Sequence, residues 1–280
     1  MAELSAVHRD NSIGFIDFED EHLSADRQWF QALLAAMVDQ FRDRLPELRA
    51  MNGLYAPSLD EATLRAMRQA GFRTLNLALI TISASQLKRF RRPQISGQVS
   101  RVLTAAHSLG LASVAYLMVA GPGQEPLTAV QDLLFLAARR VLAGVSVFYP
   151  APGSSDYRWC RRQGKLPLHL SLMRATALPL ADATDRIQTV TLMRLGRLLN
   201  FMKHLLDHEG GLPRPAPAPA RLPERPDRQQ AGKILLAAFL HDGGIRGVDA
   251  EGRLYAHLID PVLSRAFLQG LKEIRLCGSI

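Results

Sequence analysis

Between residues 13 and 149 the chain repeats one pattern five times: a short, largely continuous apolar run, followed by an amphipathic segment. The runs fall at 13–18, 47–52, 73–80, 112–119 and 144–149. An apolar run of this length without polar alternation suits a strand covered on both faces, as in a parallel sheet. The segments between the runs carry helix punctuation. Ser24 stands where it can cap a helix that buries Trp29, Phe30, Leu33, Leu34 and Met37. Ser58 and Glu61 have capping-box spacing, and Gly71 sits where the chain must turn out of that helix. Pro126 suits the first turn of a helix whose stripe is Leu127, Val130, Leu133, Leu134 and Ala137. A βα series of this kind forms either a curved barrel or an open doubly wound sheet, and periodicity does not choose between them.

In both architectures ligands gather at the carboxyl ends of the strands. The residues there are Glu19-Asp20-Glu21, Asn52-Gly53, Thr81, Ala120-Gly121-Pro122-Gly123-Gln124, and Tyr149-Pro150 running on to Gly153-Ser154. Acids, an amide, glycines and a tyrosine are thus expected on one rim. After Tyr157 the pattern is helical, with Leu192, Leu195, Leu198, Leu199, Met202, Leu205 and Leu206 opposite Arg194, Arg197, Lys203 and His204. Residues 212–226 hold six prolines and read as a linker. Beyond it, 232–241 suggests a helix, 247–260 a hairpin turning at Asp249-Ala250-Glu251-Gly252, and 261–271 a closing helix.

Composition narrows the function classes. A chain of 280 residues, 48% of them hydrophobic, buries roughly three quarters of its unfolded surface, which suits a globular enzyme or scaffold. The longest clean apolar run, 111–120, is half of the ~20 residues a spanning helix needs. The first eleven residues mix Glu3, His8, Arg9 and Asp10 with apolar ones, unlike a signal peptide, so a soluble cytoplasmic protein without a membrane partner is expected. A net charge of +8 invites thoughts of nucleic acid, yet the arginines are spread along the chain among 26 acids, and no nucleic-acid partner is expected. Cys160 and Cys277 stand far apart, so neither a zinc site nor an iron–sulfur cluster can be built from them.

The strand ends carry a resemblance. Phe15-Ile16-Asp17-Phe18-Glu19-Asp20-Glu21 followed by Leu23-Ser24-Ala25-Asp26 resembles the second strand of cobalamin-type radical S-adenosylmethionine enzymes. Met51-Asn52-Gly53, then Leu64 to Ala70-Gly71-Phe72 and Leu75-Asn76-Leu77, are similar to the third and fourth strands of that family. Val119-Ala120-Gly121-Pro122-Gly123-Gln124 resembles its fifth, and Tyr149-Pro150-Ala151-Pro152-Gly153-Ser154 with Tyr157 the end of its sixth. The likeness covers residues 1–208, in order and in register.

It implies an α/β fold, a partial (β/α) TIM-type barrel lacking its N-terminal part. Residues 1–158 would be the partial barrel, 159–211 a helical extension packed on it, 212–230 the linker and 231–280 a small α+β segment. It implies S-adenosylmethionine at the rim, with the methionine amino group near Asp20 and Glu21. The ribose or adenine would lie near Thr81, Gly121, Pro122, Gly123, Tyr149 and Pro150, and Asn52 and Gly53 are further cofactor contacts. A four-iron four-sulfur cluster and cobalamin belong to the family, but its three-cysteine loop would precede Met1, so this chain holds no ligands for the cluster. The expected function is a radical S-adenosylmethionine enzyme portion acting on a small-molecule or otherwise unknown substrate. It would be inactive without a missing N-terminal segment or a cluster-bearing partner chain; a non-catalytic binding scaffold or a degenerate fragment of the fold is the alternative. His204 and His208, four apart beside Asp207 and Glu209, have the spacing of a shared metal, but read more simply as a polar helix end. His241-Asp242 before Gly243-Gly244 reads as a helix terminus.

Overall fold

Strands fall on all five apolar runs, the fifth starting two residues before its run, in the computed structural model, which describes residues 2–10, 13–42, 44–174, 180, 182–223 and 227–280. The path begins with α1 (Ala2–Asp10), β1 (Phe15–Asp17), α2 (Arg27–Gln40) and β2 (Glu47–Arg49). A short 3-10 turn leads to α3 (Glu61–Ala70) and β3 (Thr74–Ile80), then α4 (Ala84–Phe90), α5 (Ser96–Ser108) and β4 (Ala112–Val119). Next come α6 (Pro126–Ala137), β5 (Leu142–Val147), α7 (Ser155–Arg162) and the long α8 (Arg186–Glu209). The chain ends with α9 (Arg228–Asp242), the antiparallel pair β6 (Arg246–Val248) and β7 (Leu254–Ala256), and α10 (Pro261–Glu273). The class is mixed α/β, with ten α-helices among the described residues.

β1 and β2 pair in parallel, Asp17 opposite Arg49, and β3, β4 and β5 hydrogen-bond in that order. Isolated parallel bridges, Leu48 to Phe72 and Leu54 to Leu77, tie β2 and the residues after it to β3. The described parallel pairings therefore follow chain order, without the reversal that defines a doubly wound sheet. Gly71, at φ 114°, ends α3 in the left-handed region and would bring a Cβ against the Pro46 carbonyl, so glycine is required there on both counts.

The chain forms two compact units. The first comprises Met1–Leu117, Arg139–Gly144 and Ser279–Ile280; the second comprises Met118–Ala138 and Val145–Gly278. In the first, α2 packs on α3, α3 on α5 and α5 on β3, burying Phe30, Leu34, Met37, Leu48, Leu64, Met67, Leu75 and Leu77. Each such side chain contributes about 1.5–3 kcal/mol on leaving water. In the second, α10 packs on α6 and α8 around Leu133, Leu195, Leu199, Met202 and Phe267. Gly196 lets α8 approach Val145, whose Cγ2 would lie 2.5 Å from any added Cβ. The proline-rich stretch is extended and docked. Ala216 N–H donates to Ala237 O, and Leu222 N–H to Gly252 O. Residues 224–226 of the stretch read as a linker lie outside the described residues. No described helix is long and apolar enough to cross a membrane.

Several local expectations are corrected. Asp26 and Asp60, rather than Ser24 and Ser58, cap α2 and α3, accepting from Trp29 N and Thr63 N. The two serines instead bond each other, Oγ to Oγ at 2.6 Å. Trp29 is 52% exposed and Leu127 47%, so each stripe is narrower than its periodicity suggests. Lys203, expected on the polar face of α8, is fully buried.

Candidate functional site

Strand ends of the first unit come first. β1 passes into its loop with Phe18 N–H donating to Arg49 O at 2.9 Å. Met51 N–H donates to Asp17 Oδ1 at 3.2 Å, and Asn52 Nδ2 to Glu19 O at 2.9 Å. These bonds clasp the loop after β1 to the loop after β2. Asn52 is thus a clasp, while Asp20 and Glu21 lie exposed in the turn beyond it. Gly53, at φ 91°, is buried; a Cβ there would meet Ala78 N at 3.1 Å and Tyr116 Cδ2 at 3.2 Å.

At the end of β3, Ile80 has φ 70°, and Thr81 N–H donates to Leu79 O at 2.9 Å across it. That is the strained form of γ-turn, here at a β-branched residue, for which the left-handed region is a true outlier. Thr81 is buried, and its hydroxyl accepts from Ser83 N–H at 3.0 Å.

Besides the residues after each strand, polar side chains within the strands face one another. Asn76 and Tyr116 stand on the same face of β3 and β4, since Tyr116 pairs with Ala78 and Asn76 with Val114. The Tyr116 hydroxyl donates to Asn76 Oδ1 at 3.4 Å. Burial, and then the charge of Asp17, push the Tyr116 phenol above its ordinary value, so it remains a hydrogen-bond donor at neutral pH. The flanking Leu75, Leu77, Ala115 and Leu117 point the other way and are buried. The available signal was period-two polarity inside an apolar run: Asn76 between two leucines, Tyr116 between Ala115 and Leu117. On β2, Arg49 is occupied by Glu47 at 2.9 Å and by the Phe15 ring at 4.2 Å. Asp17, opposite Arg49 in the register, accepts from Met51 N–H and, after Glu47, adds to the field that raises the Arg49 pKa.

In the second unit Ala120, the residue after β4, is buried at φ 61°. The turn that follows consumes its own donors. Gly121 N–H goes to Gln124 Oε1 at 2.9 Å, Pro122 has none, Gly123 N–H goes to Asp182 Oδ2 at 2.7 Å, and Gln124 N–H returns to Gly121 O at 2.9 Å. Gln124 is buried; Thr184 Oγ1 donates to its carbonyl at 2.5 Å. Burial raises the Asp182 pKa, but the bonds from Lys165, at 2.6 Å, and Gly123 outweigh it and hold the carboxyl below its usual range. With its N–H groups engaged, this turn presents carbonyl oxygens. It suits an amino or hydroxyl donor rather than a phosphate, which needs free N–H groups. After β5, Tyr149 is exposed and Pro150 buried, and Ser154 caps α7 by accepting from Tyr157 N–H.

Cys160 is buried and Cys277 half-buried, both in the second unit. The two thiols cannot supply the three thiolates of a site-differentiated iron–sulfur cluster. Among the described residues no group of three or more His, Cys, Asp or Glu side chains is arranged to hold a metal.

No protein-family profile matches the chain, and no curated protein matches it. Solved structures similar to it are radical S-adenosylmethionine enzymes. The radical S-adenosylmethionine methyltransferase TsrM of Kitasatospora setae, with cobalamin and a 4Fe-4S cluster bound, matches over 52% of this chain and 29% of its own, at 17% identity and a TM-score of 0.45. The same enzyme with tryptophan and an aza analogue of S-adenosylmethionine matches over 53% and 29%, at 15% identity and a TM-score of 0.44. Coproporphyrinogen III oxidase, HemN, of Escherichia coli matches over 86% and 74%, at 12% identity and a TM-score of 0.37. The matched region thus spans under a third of TsrM.

Proposed function

We propose that this chain is the ligand-binding portion of a radical S-adenosylmethionine-type enzyme of the cobalamin-dependent kind, its parallel strands forming part of a barrel wall. In the first unit the proposed contacts are Asp20 and Glu21 for an amino group, with Asn52, Gly53 and Thr81 shaping the strand ends. In the second they are Gly121, Pro122, Gly123, Tyr149 and Pro150. The observation that carries this reading is the backbone at the ends of β3 and β4. Ile80 and Ala120 both hold positive φ without being glycine, and each directly precedes a residue, Thr81 and Gly121, at which the sequence resemblance puts a ligand contact. Strain of this kind costs about 1–3 kcal/mol and persists where surrounding structure and function demand it.

With two cysteines the chain does not itself complete a cluster. Its radical chemistry would depend on thiolates from another part of a longer protein or from a partner. The cysteine count equally favours a second reading, a binding scaffold that retains the ligand rim without redox chemistry.

Titration calorimetry with S-adenosylmethionine tests the binding claim. A dissociation constant near the millimolar range, ~4 kcal/mol, is expected for a site without its cluster. Asp20→Ala should weaken it further, because Asp20 is exposed and makes no bond that the fold needs. No heat at several times that concentration would remove the adenosyl role.

A further inference from the structure

The two histidines near the end of α8 lie outside everything proposed above. His204 and His208 are both exposed, four residues apart, with ring centroids 4.2 Å from each other and planes tilted by 33°. The His208 Nδ1 lies 2.9 Å from the His204 carbonyl oxygen. A carbonyl can only accept, so Nδ1 carries the proton and the lone pair of the neutral ring is left on Nε2, which points away from the helix backbone. This is the arrangement by which a second hydrogen bond fixes a histidine for metal ligation. On its other side the His204 ring stacks on Phe201 at 6.4 Å and 19°. Phe201 is in turn held by Gly232 of α9, where an added Cβ would come within 2.8 Å of the ring.

The field also favours a cation. Both rings sit in the last two turns of a 24-residue helix, whose carboxyl end carries partial negative charge. Glu209 follows directly, but its carboxylate is bonded by Gln229 at 2.6 Å and paired with Lys233 at 3.0 Å, so it is engaged elsewhere and its charge is largely offset. A groove of about 420 Å³, lined by Phe201, His204, Arg228, Gln229 and Gly232, adjoins His204 and leaves room for water on the ion. Arg228 is the opposing charge in that lining.

We propose that His204 and His208 form a two-imidazole site for a borderline divalent transition-metal ion such as zinc, nickel or copper(II), with water completing its coordination. Imidazole nitrogen selects these ions over magnesium and calcium, which take oxygen ligands. The inference does not rest on the proposed radical-enzyme function.

Titrating the full chain with nickel chloride or zinc chloride at pH 7.5 should show one equivalent bound. His204→Asn and His208→Asn should each weaken it by about tenfold or more, and magnesium chloride should give nothing. In the unmutated protein, long-range proton–nitrogen spectra should show zinc moving the Nε2 resonances of His204 and His208 ahead of the other histidines, a readout independent of how the variants fold. Binding that survives the double variant, that disappears on alkylating the cysteines, or that leaves those two Nε2 resonances unmoved would overturn the proposal.

Discussion

Lys203 offers the sharpest test of how the second unit is held together. Its ammonium is fully buried and donates to Cys277 O at 2.9 Å, with Ala137 O and Gly278 O each at 3.4 Å. Ala137 closes α6, so the charge also sits at that helix's negative end. Cys277 N–H donates to the same Ala137 carbonyl at 3.0 Å, which fastens the C-terminal segment beside it. Lys203→Met keeps the apolar stem and removes the charge. One short charge-assisted bond is worth about 1.5–3 kcal/mol, the two long ones little, and the helix-end attraction about 0.3–1 kcal/mol. Against this, methionine avoids the cost of keeping an ammonium out of water. The expected net loss is about 2 kcal/mol. Lys203→Ala adds an unfilled cavity, bringing the loss to about 4 kcal/mol. Urea denaturation reads both, as a lower midpoint at unchanged slope. Hydrogen exchange at the Cys277 amide should accelerate in Lys203→Met before the rest of the unit loosens. A methionine variant as stable as the parent, with Cys277 still protected, would show that the buried ammonium does not hold the segment.

Three further outcomes are expected. Because the folded pKa of Asp182 is depressed, its bond to Gly123 contributes stability above the ordinary carboxylate value near 3.8 and loses it as pH falls through the lower folded value; amide exchange at Gly123 should speed up in that acid window, and Asp182→Asn should abolish the pH dependence. Ala120→Gly should be neutral or stabilising within about 0.5 kcal/mol, whereas a buried Ala→Gly in regular structure costs about 1 kcal/mol; a clear loss in thermal unfolding would refute strain at that position. Among the described pairings β1 has only β2 as a neighbour and carries a 55% exposed Phe15, so the chain should self-associate with concentration through that edge; Phe15→Lys should return it to a monomer in light scattering, and an unmodified chain that is monomeric throughout would contradict this.

How legible the fold was depended on how local each cause is. β4 runs over 112–119 as the apolar run indicates, because its buried face is unbroken. β2 stops at Arg49, short of the run to Asn52, because the chain turns through Gly53 to bring Leu54 against β3. Each misplaced cap lay two residues early in a Ser-x-Asp sequence, where serine and aspartate cap about equally well and the serines are taken up by each other across the unit. Lys203 was misread because the three carbonyls it bonds, of Ala137, Cys277 and Gly278, lie 66 to 75 residues away, in segments no helical period reports. At the candidate site, the location of the strand-end residues was visible in the sequence. That the Gly121–Gln124 turn spends its N–H groups on Gln124 and Asp182 was not, since the Asp182 contact spans 59 residues. Asn76 and Tyr116 were visible as polar breaks in apolar runs, but only strand register puts them on one face.

The central claim, that these strand ends bind a S-adenosylmethionine-type ligand, is tested most directly by titrating the isotope-labelled chain with S-adenosylmethionine and following its backbone amides. Saturable shifts are predicted at Asp20, Glu21, Gly53 and Thr81 in the first unit and at Gly121, Gly123 and Tyr149 in the second, with α9 and the β6–β7 hairpin unmoved. Shifts confined to α9 and the hairpin, or none at millimolar ligand, would contradict it.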